Sequence, residues 1–160
     1  MKKVILPLMT LFFFLQFSCE KIRSKNENEP EVILYTKENK IKMANELINK
    51  LVAALTDSSD LSTLQVFCDE NSRFSGNIGD TDATFNGRFL DGKLKALNKN
   101  ISVKEVIRLI NTGHRENGKN GDGVWFSLFS DGFEYGLGLA FNEKQRKWVI
   151  RSLFKDKPER

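Results

Sequence analysis

His114 is the only histidine of the 160 residues, and Glu116 and Glu134 are the carboxylates that acid–base chemistry would most readily pair with it. An imidazole beside a carboxylate is a minimal device for moving protons near neutral pH. Here the histidine lies in Thr112-Gly113-His114-Arg115-Glu116-Asn117-Gly118, which reads as a strand end running into a Gly-rich turn. Neither spacing nor flanking residues distinguish the two glutamates, and most Asp and Glu residues fall in turns, where they are solvated. An exposed structural histidine is the plainer reading, and no catalytic residue is assigned. Cys68 lies in Leu64-Gln65-Val66-Phe67-Cys68, where helical spacing aligns it with Leu64, as for a buried small hydrophobe. Cys19 is the only other cysteine, and there is no histidine cluster, so no metal site is expected. Lys119-Asn120-Gly121-Asp122-Gly123 has neither the Lys-Ser/Thr pair of a phosphate loop nor the carboxylate spacing of a calcium loop. No cofactor is expected.

Binding fits these residue types better than catalysis. Trp125, Phe126, Tyr135, Trp148 and Arg151 are the candidates to line or rim a site for a small apolar ligand, with core packing as the alternative for each aromatic. All five lie in a C-terminal third built from three strand-like runs, Val124 to Ser130, Phe133 to Asn142 and Lys147 to Phe154. Asp131-Gly132 between the first two is a strong hairpin signal, because both residues tolerate positive φ. In the middle run Phe133, Tyr135, Leu137, Leu139 and Phe141 share one face, and Gly136, Gly138 and Ala140 share the other. That bare face admits a helix, an aromatic or a ligand close to the backbone; alternatively, the glycines relieve strain in a curved sheet.

The elements that must hold this sheet come earlier. Ile41, Ala44, Leu47, Ile48, Leu51, Ala54 and Leu55 recur at helical steps, Thr36 can cap the start, and the lysines lie elsewhere around the wheel. A core-facing helix is the primary reading and a membrane-surface helix the alternative. Asp60 can cap a second, short helix through Leu61, Leu64, Phe67 and Cys68, so that the two form a helical corner. Arg73 to Gly76 and Ala83 to Leu90 read as short strands joined by the turn-rich stretch Asn77 to Asp82, and Lys93 to Leu97 as a helical turn. Ser102-Val103-Lys104-Glu105 has the form of a capping box ahead of Val106, Ile107 and Ile110, although the β-branched content of 103–112 also suits a strand.

The N-terminus carries location. Lys2 and Lys3 precede a fourteen-residue apolar run, Val4 to Phe17, interrupted by Pro7. A spanning helix needs roughly 20 apolar residues, so cleavage is the primary reading and a membrane anchor helix the alternative. The stretch Leu15-Gln16-Phe17-Ser18-Cys19 resembles, in relaxed form, the lipobox of bacterial lipoproteins, with Gln16 and Phe17 where Leu and a small residue are usual. The resemblance implies acylation of Cys19 and a lipid-anchored protein of the bacterial cell envelope, at the outer membrane (periplasmic side or cell surface) more than the inner. Residues 1–18 are then a lipoprotein signal peptide, 19–31 the lipidated cysteine and a charged flexible tether, 32–156 a single domain and 157–160 a tail. Loss of residues 1–18 from the 160 leaves 142 and removes Lys2 and Lys3, so the formal charge falls from +4 to +2. No Lys/Arg stripe with interleaved aromatics is present, so nucleic acid is not an expected partner.

The long amphipathic helix, the stretch Ser59 to Glu70 leading to Arg73-Phe74, and the closing meander ending in Lys147-Trp148-Val149-Ile150 are similar to the NTF2-like (SnoaL-like) superfamily. The resemblance implies an α+β fold, with an N-terminal amphipathic helix and helical corner packed on a curved antiparallel sheet that forms a cone. The expected protein is a lipid-anchored, non-catalytic module binding a small apolar ligand or another envelope protein. The alternative is an NTF2-like enzyme of isomerase, dehydratase or hydrolase type acting on a small apolar substrate in the cone. Oligomeric state stays open.

Overall fold

The periodic apolar residues of the first helix need a sheet to cover, and the computed structural model shows how it is supplied. It describes residues 35–77, 84–92 and 94–158, all within one compact unit, Leu34–Arg160. The leader, Cys19, the tether, the turn 78–83, Lys93 and the last two residues lie outside the described residues.

Helix α1 (Lys37–Thr56) starts at Thr36, whose side chain accepts from the Asn39 N–H, and buries Ala44, Leu47, Ile48, Leu51 and Leu55. A 3-10 helix (Leu61–Phe67) follows, with Asp60 accepting from the Ser62 N–H. Strands β1 (Cys68–Asn77) and β2 (Thr84–Arg88) come next, then a 3-10 turn (Phe89–Asp91) and the helices α2 (Lys95–Asn100) and α3 (Val103–Thr112). Strands β3 (His114–Asn117), β4 (Gly123–Ser130), β5 (Phe133–Asn142) and β6 (Lys147–Asp156) complete the chain. The open question over 103–112 resolves as helix: Ser102 accepts from the Glu105 N–H and the Glu105 carboxylate bonds back to the Ser102 N–H, a complete capping box. Several boundaries differ from the sequence reading: β1 is longer than the expected Arg73 to Gly76, α2 runs to Asn100 where a turn from Lys93 to Leu97 is expected, and β6 continues past Phe154 to Asp156. Cys68 begins β1 rather than ending a helix, and Leu90 leaves the strand for the 3-10 turn that buries Phe89.

The sheet is a six-stranded, curved and unclosed layer in the order β2-β1-β6-β5-β4-β3. Its pairs are antiparallel except β1 with β6, the parallel junction where the two halves of the chain meet. Register shifts between Cys68 and Arg73 and between Gly138 and Leu139 bend the layer at that junction. The expected hairpin forms at Asp131 (φ 56) and Gly132 (φ 78).

Helices and the 3-10 segments cover one face. Phe126, Tyr135, Leu137, Leu139 and Leu153 of that face join Leu51, Leu55, Leu61, Leu64, Leu97, Ile101 and Leu109 in one buried cluster. The fold is thus α+β, with helix and helical corner packed on the sheet. No helix among the described residues is long and apolar enough to cross a membrane.

Candidate functional site

The five candidate binding residues are distributed over separate environments. Consecutive residues of a strand point to opposite faces, so Trp125 and Phe126 are divided by the sheet itself. Phe126 is buried on the helical side and floors a groove of about 580 Å³ with Ile48 and Val52 of α1 and Ile110 of α3. Asn49, Asn111 and Arg115 rim this groove. The Arg115 guanidinium donates to Asn45 Oδ1 at 2.7 Å and sits 5.8 Å from the Phe126 ring centre, so its charge is already directed. Trp148 is buried beside Phe141 and lines a smaller groove, of about 180 Å³, with Met43, Glu46, Leu47, Lys50 and Lys147. Its indole N–H has no hydrogen-bond partner among the described residues.

Tyr135 is buried and engaged. Its hydroxyl donates to Glu105 Oε1 at 2.7 Å, and Lys155 Nζ donates to the same oxygen at 2.8 Å and to the Asn100 carbonyl at 3.0 Å. Burial alone would raise the Glu105 carboxyl. The bonds from Lys155, the Ser102 backbone, Tyr135 and the Ser102 hydroxyl outweigh it and hold Glu105 at about 2. Burial, and then the bond to Glu105, push the Tyr135 hydroxyl well above the ordinary tyrosine value. Each ionisable member is locked by the others, which makes this a structural cross-link from α3 to β5 and β6 with no free base.

Arg151 sits at the bend of β6 and reaches Asp69 Oδ1 at 3.4 Å. The Asp69 carboxylate, 1% exposed, also accepts from the Asn71 N–H and the Asn142 amide, while the Asp69 backbone N–H donates to the Ser72 hydroxyl. Burial opposes its ionisation, and these bonds together with Arg151 still hold it below its ordinary value. Ser72 donates to the Ile150 carbonyl, so the cluster ties the irregular start of β1 to β6. Cys68 is buried next to it and donates to the Leu64 carbonyl at 3.2 Å. Burial pushes its thiol up to about 12, the opposite of what a nucleophile needs.

The acid–base candidates meet only in part. His114 Nε2 lies 3.2 Å from Glu116 Oε1, but both side chains are about 70% exposed on the edge strand β3. Glu134 is opposite Phe129, two residues beyond the Ser127 that pairs with His114. An open, water-filled surface gives a proton-transfer pair none of the desolvation that sharpens it. No cluster of His, Cys, Asp or Glu suited to a metal occurs among the described residues.

The face away from the helices is organised differently. Adding a Cβ to Gly136 would place it 2.2 Å from the Phe154 ring and 2.7 Å from the Trp125 ring; at Gly138 it would fall 2.7 Å from Trp125. The bare strip foreseen on β5 is therefore a seat for two aromatics, whose ring centres are 5.8 Å apart. Trp125 and Phe154 are half-buried, and Phe129, further along β4 on the same side, is 67% exposed. Register puts Ser152, Arg73 and Arg88 to one side of Gly138, and Trp125 and Glu116 to the other. The face thus has an aromatic centre, a basic flank on β1 and β2, and an acidic residue on β3. Phe154 was missed by sequence reasoning, since its position opposite Gly136 depends on the register across the β5–β6 turn. Glu105 reads as a cap from its local sequence, and its partner Lys155 lies 50 residues away.

No protein-family model matches the chain and no curated protein matches it. Among solved structures, the chain is similar to an NTF2-like protein of unknown function from Methylobacillus flagellatus KT, at 13% identity and a TM-score of 0.43, covering 72% of this chain and 93% of that one. A chain from work on an enumerative algorithm for de novo design of proteins with diverse pocket structures is 15% identical, with a TM-score of 0.32, over 72% of this chain and 99% of that one. Neither likeness assigns an activity.

Proposed function

We propose that this protein is a lipid-anchored, non-catalytic interaction module of the bacterial cell envelope, with an NTF2-like domain that docks another envelope protein through the sheet face bearing Trp125, Phe129 and Phe154. The observation that carries the reading is the contrast between the two faces. The helix-covered side is filled by core side chains, with Phe126, Tyr135, Leu137, Leu139 and Leu153 each no more than 2% exposed, whereas the other side leaves aromatic surface uncovered. Half-exposed aromatics are the groups most often found at the centre of protein interfaces. A flank of arginines with an acidic residue opposite suits a protein surface of mixed charge and does not suit a polyanion.

A second reading rests on the groove floored by Phe126, whose volume lies within the range of small-molecule sites. A small apolar ligand held there would make the domain a carrier or sensor. An enzyme acting on such a substrate is less well supported, because the ionisable groups beneath the helices, Glu105 with Lys155 and Asp69 with Arg151, are committed to each other.

Purification of the tagged protein from its own membranes in mild detergent, followed by a native mass spectrum, tests these readings. Residues 19–160 plus acyl chains with a co-purifying protein is the expected result. An acylated chain carrying only a small molecule would move the assignment to the groove, and retention of residues 1–18 would overturn the anchor.

A further inference from the structure

One pole of the domain collects cations from three separate parts of the chain. The start of α1, the β3–β4 turn and the β5–β6 turn lie together there. Lys40 of α1 pairs with Glu143 of the β5–β6 turn. A Cβ on Gly121 of the β3–β4 turn would fall 2.9 Å from Lys37, and Phe141 donates its N–H to the Asp122 carbonyl. Arg146 lies over the ring of Tyr35, the first described residue, and Tyr35 in turn packs on Phe141 at 5.3 Å.

Lys37, Lys119, Lys144, Arg146 and Lys147 are all exposed at this pole, and none has an ion-pair partner among the described residues. The exposed carboxylates of the same segments are Glu38, Asp122 and Glu143, the last taken by Lys40, and Glu46 of α1 lines one groove with Lys50 and Lys147. The opposite pole is balanced, with Asp131 bound to Arg108 and Glu105 to Lys155. The asymmetry coincides with the path of the chain, because residue 35 leads back through the tether to Cys19. Cys19 and Tyr35 are sixteen positions apart in sequence, so on the anchor reading the chain enters the domain at the pole that holds Tyr35.

We infer that this basic pole is a membrane-facing surface that rests on anionic phospholipid headgroups and so orients the domain, with the docking face turned outward along the bilayer. The inference rests on the anchor reading of Cys19. An acyl chain supplies attachment without orientation. A patch of unpaired lysines supplies orientation, because its attraction to an anionic surface fades beyond a Debye length.

The acylated protein, reconstituted into vesicles of phosphatidylcholine alone or with one-third phosphatidylglycerol, provides the test by amide hydrogen exchange. Amides of 118–122 and 142–147 are expected to exchange about threefold more slowly on the anionic vesicles, while the turn at 131–132 does not change, and the difference should vanish in high salt. The variant Lys119→Glu/Lys144→Glu/Lys147→Glu should lose it while keeping its circular dichroism. Arg146 is left in place because its guanidinium packs over the Tyr35 ring. Should the triple variant not fold, Lys144→Glu alone takes its place. Equal exchange on both vesicle types by a protein of acylated mass, or undiminished protection in the folded variant, would overturn the basic pole alone. An unacylated mass would overturn the anchor and this inference with it.

Discussion

The Tyr135 hydroxyl and Glu105 Oε1 are 2.7 Å apart, and that one oxygen also takes the Lys155 ammonium, so α3 is riveted to the sheet through a single carboxylate. Replacing Glu105 with Gln leaves Lys155 in a largely buried place without its counter-charge. We expect a loss of about 1–3 kcal/mol in urea unfolding. The pH dependence follows from the direction of the shift. Glu105 titrates at about 2 when folded, below an unfolded glutamate at about 4.3. Its stabilisation is therefore complete above the unfolded value and disappears as pH falls through about 2. Wild type should lose more Tm than Glu105→Gln between neutral pH and this acid range. Parallel acid curves for the two would contradict the assignment.

Gly136 and Gly138 are seats for rings. Gly136→Ala should force Phe154 and Trp125 to move outward, costing about 1–3 kcal/mol and changing the tryptophan fluorescence. Because the obstruction at Gly136 is the ring of Phe154, Phe154→Ala should recover part of the loss. Gly136→Ala without effect on either readout would show that the strip is not occupied by these rings.

Trp148 separates packing from ligand contact. Its N–H has no partner among the described residues and its ring is buried. Trp148→Phe should then cost less than about 1.5 kcal/mol, and Trp148→Ala about 3–5 kcal/mol. A phenylalanine variant as damaged as the alanine one would mean that the indole N–H has a partner in solution.

Cys68 should be silent toward alkylation. A buried thiol held near 12 exposes almost no thiolate at pH 8. Iodoacetamide should leave Cys68 unmodified in the native acylated protein and alkylate it fully in guanidinium. Rapid native labelling would contradict the structural role given to it here.

Local signals carried most of the element list into the structure. Thr36, Asp60 and Ser102 cap the helices they were expected to cap, and Asp131-Gly132 turns the expected hairpin. These features depend on residues within a few positions of each other, which is the range that propensity and periodicity sense. Long-range pairing is different in kind. The parallel junction of β1 with β6 joins Phe74 to Leu153, and no local pattern fixes it. The same limit governed the site. The alternation on β5 showed that one face is bare, but only the register of β6 identified Phe154 as its cover, and only the placement of α3 brought Glu105 to Lys155. Residue type alone marks the five candidates in the sequence, and type is a poor guide to location, because the sheet separates Trp125 from Phe126.

A photo-reactive amino acid placed at Phe129, and separately at Asn49 on the rim of the groove, would test the proposed docking face most directly. With the protein in its native membrane, we predict an ultraviolet-dependent adduct to a protein from position 129, none from position 49, and loss of the adduct when Trp125→Ala is added to a chain that still folds. Absence of a protein adduct at 129, or an equal adduct at 49, would contradict docking through the Trp125–Phe154 face.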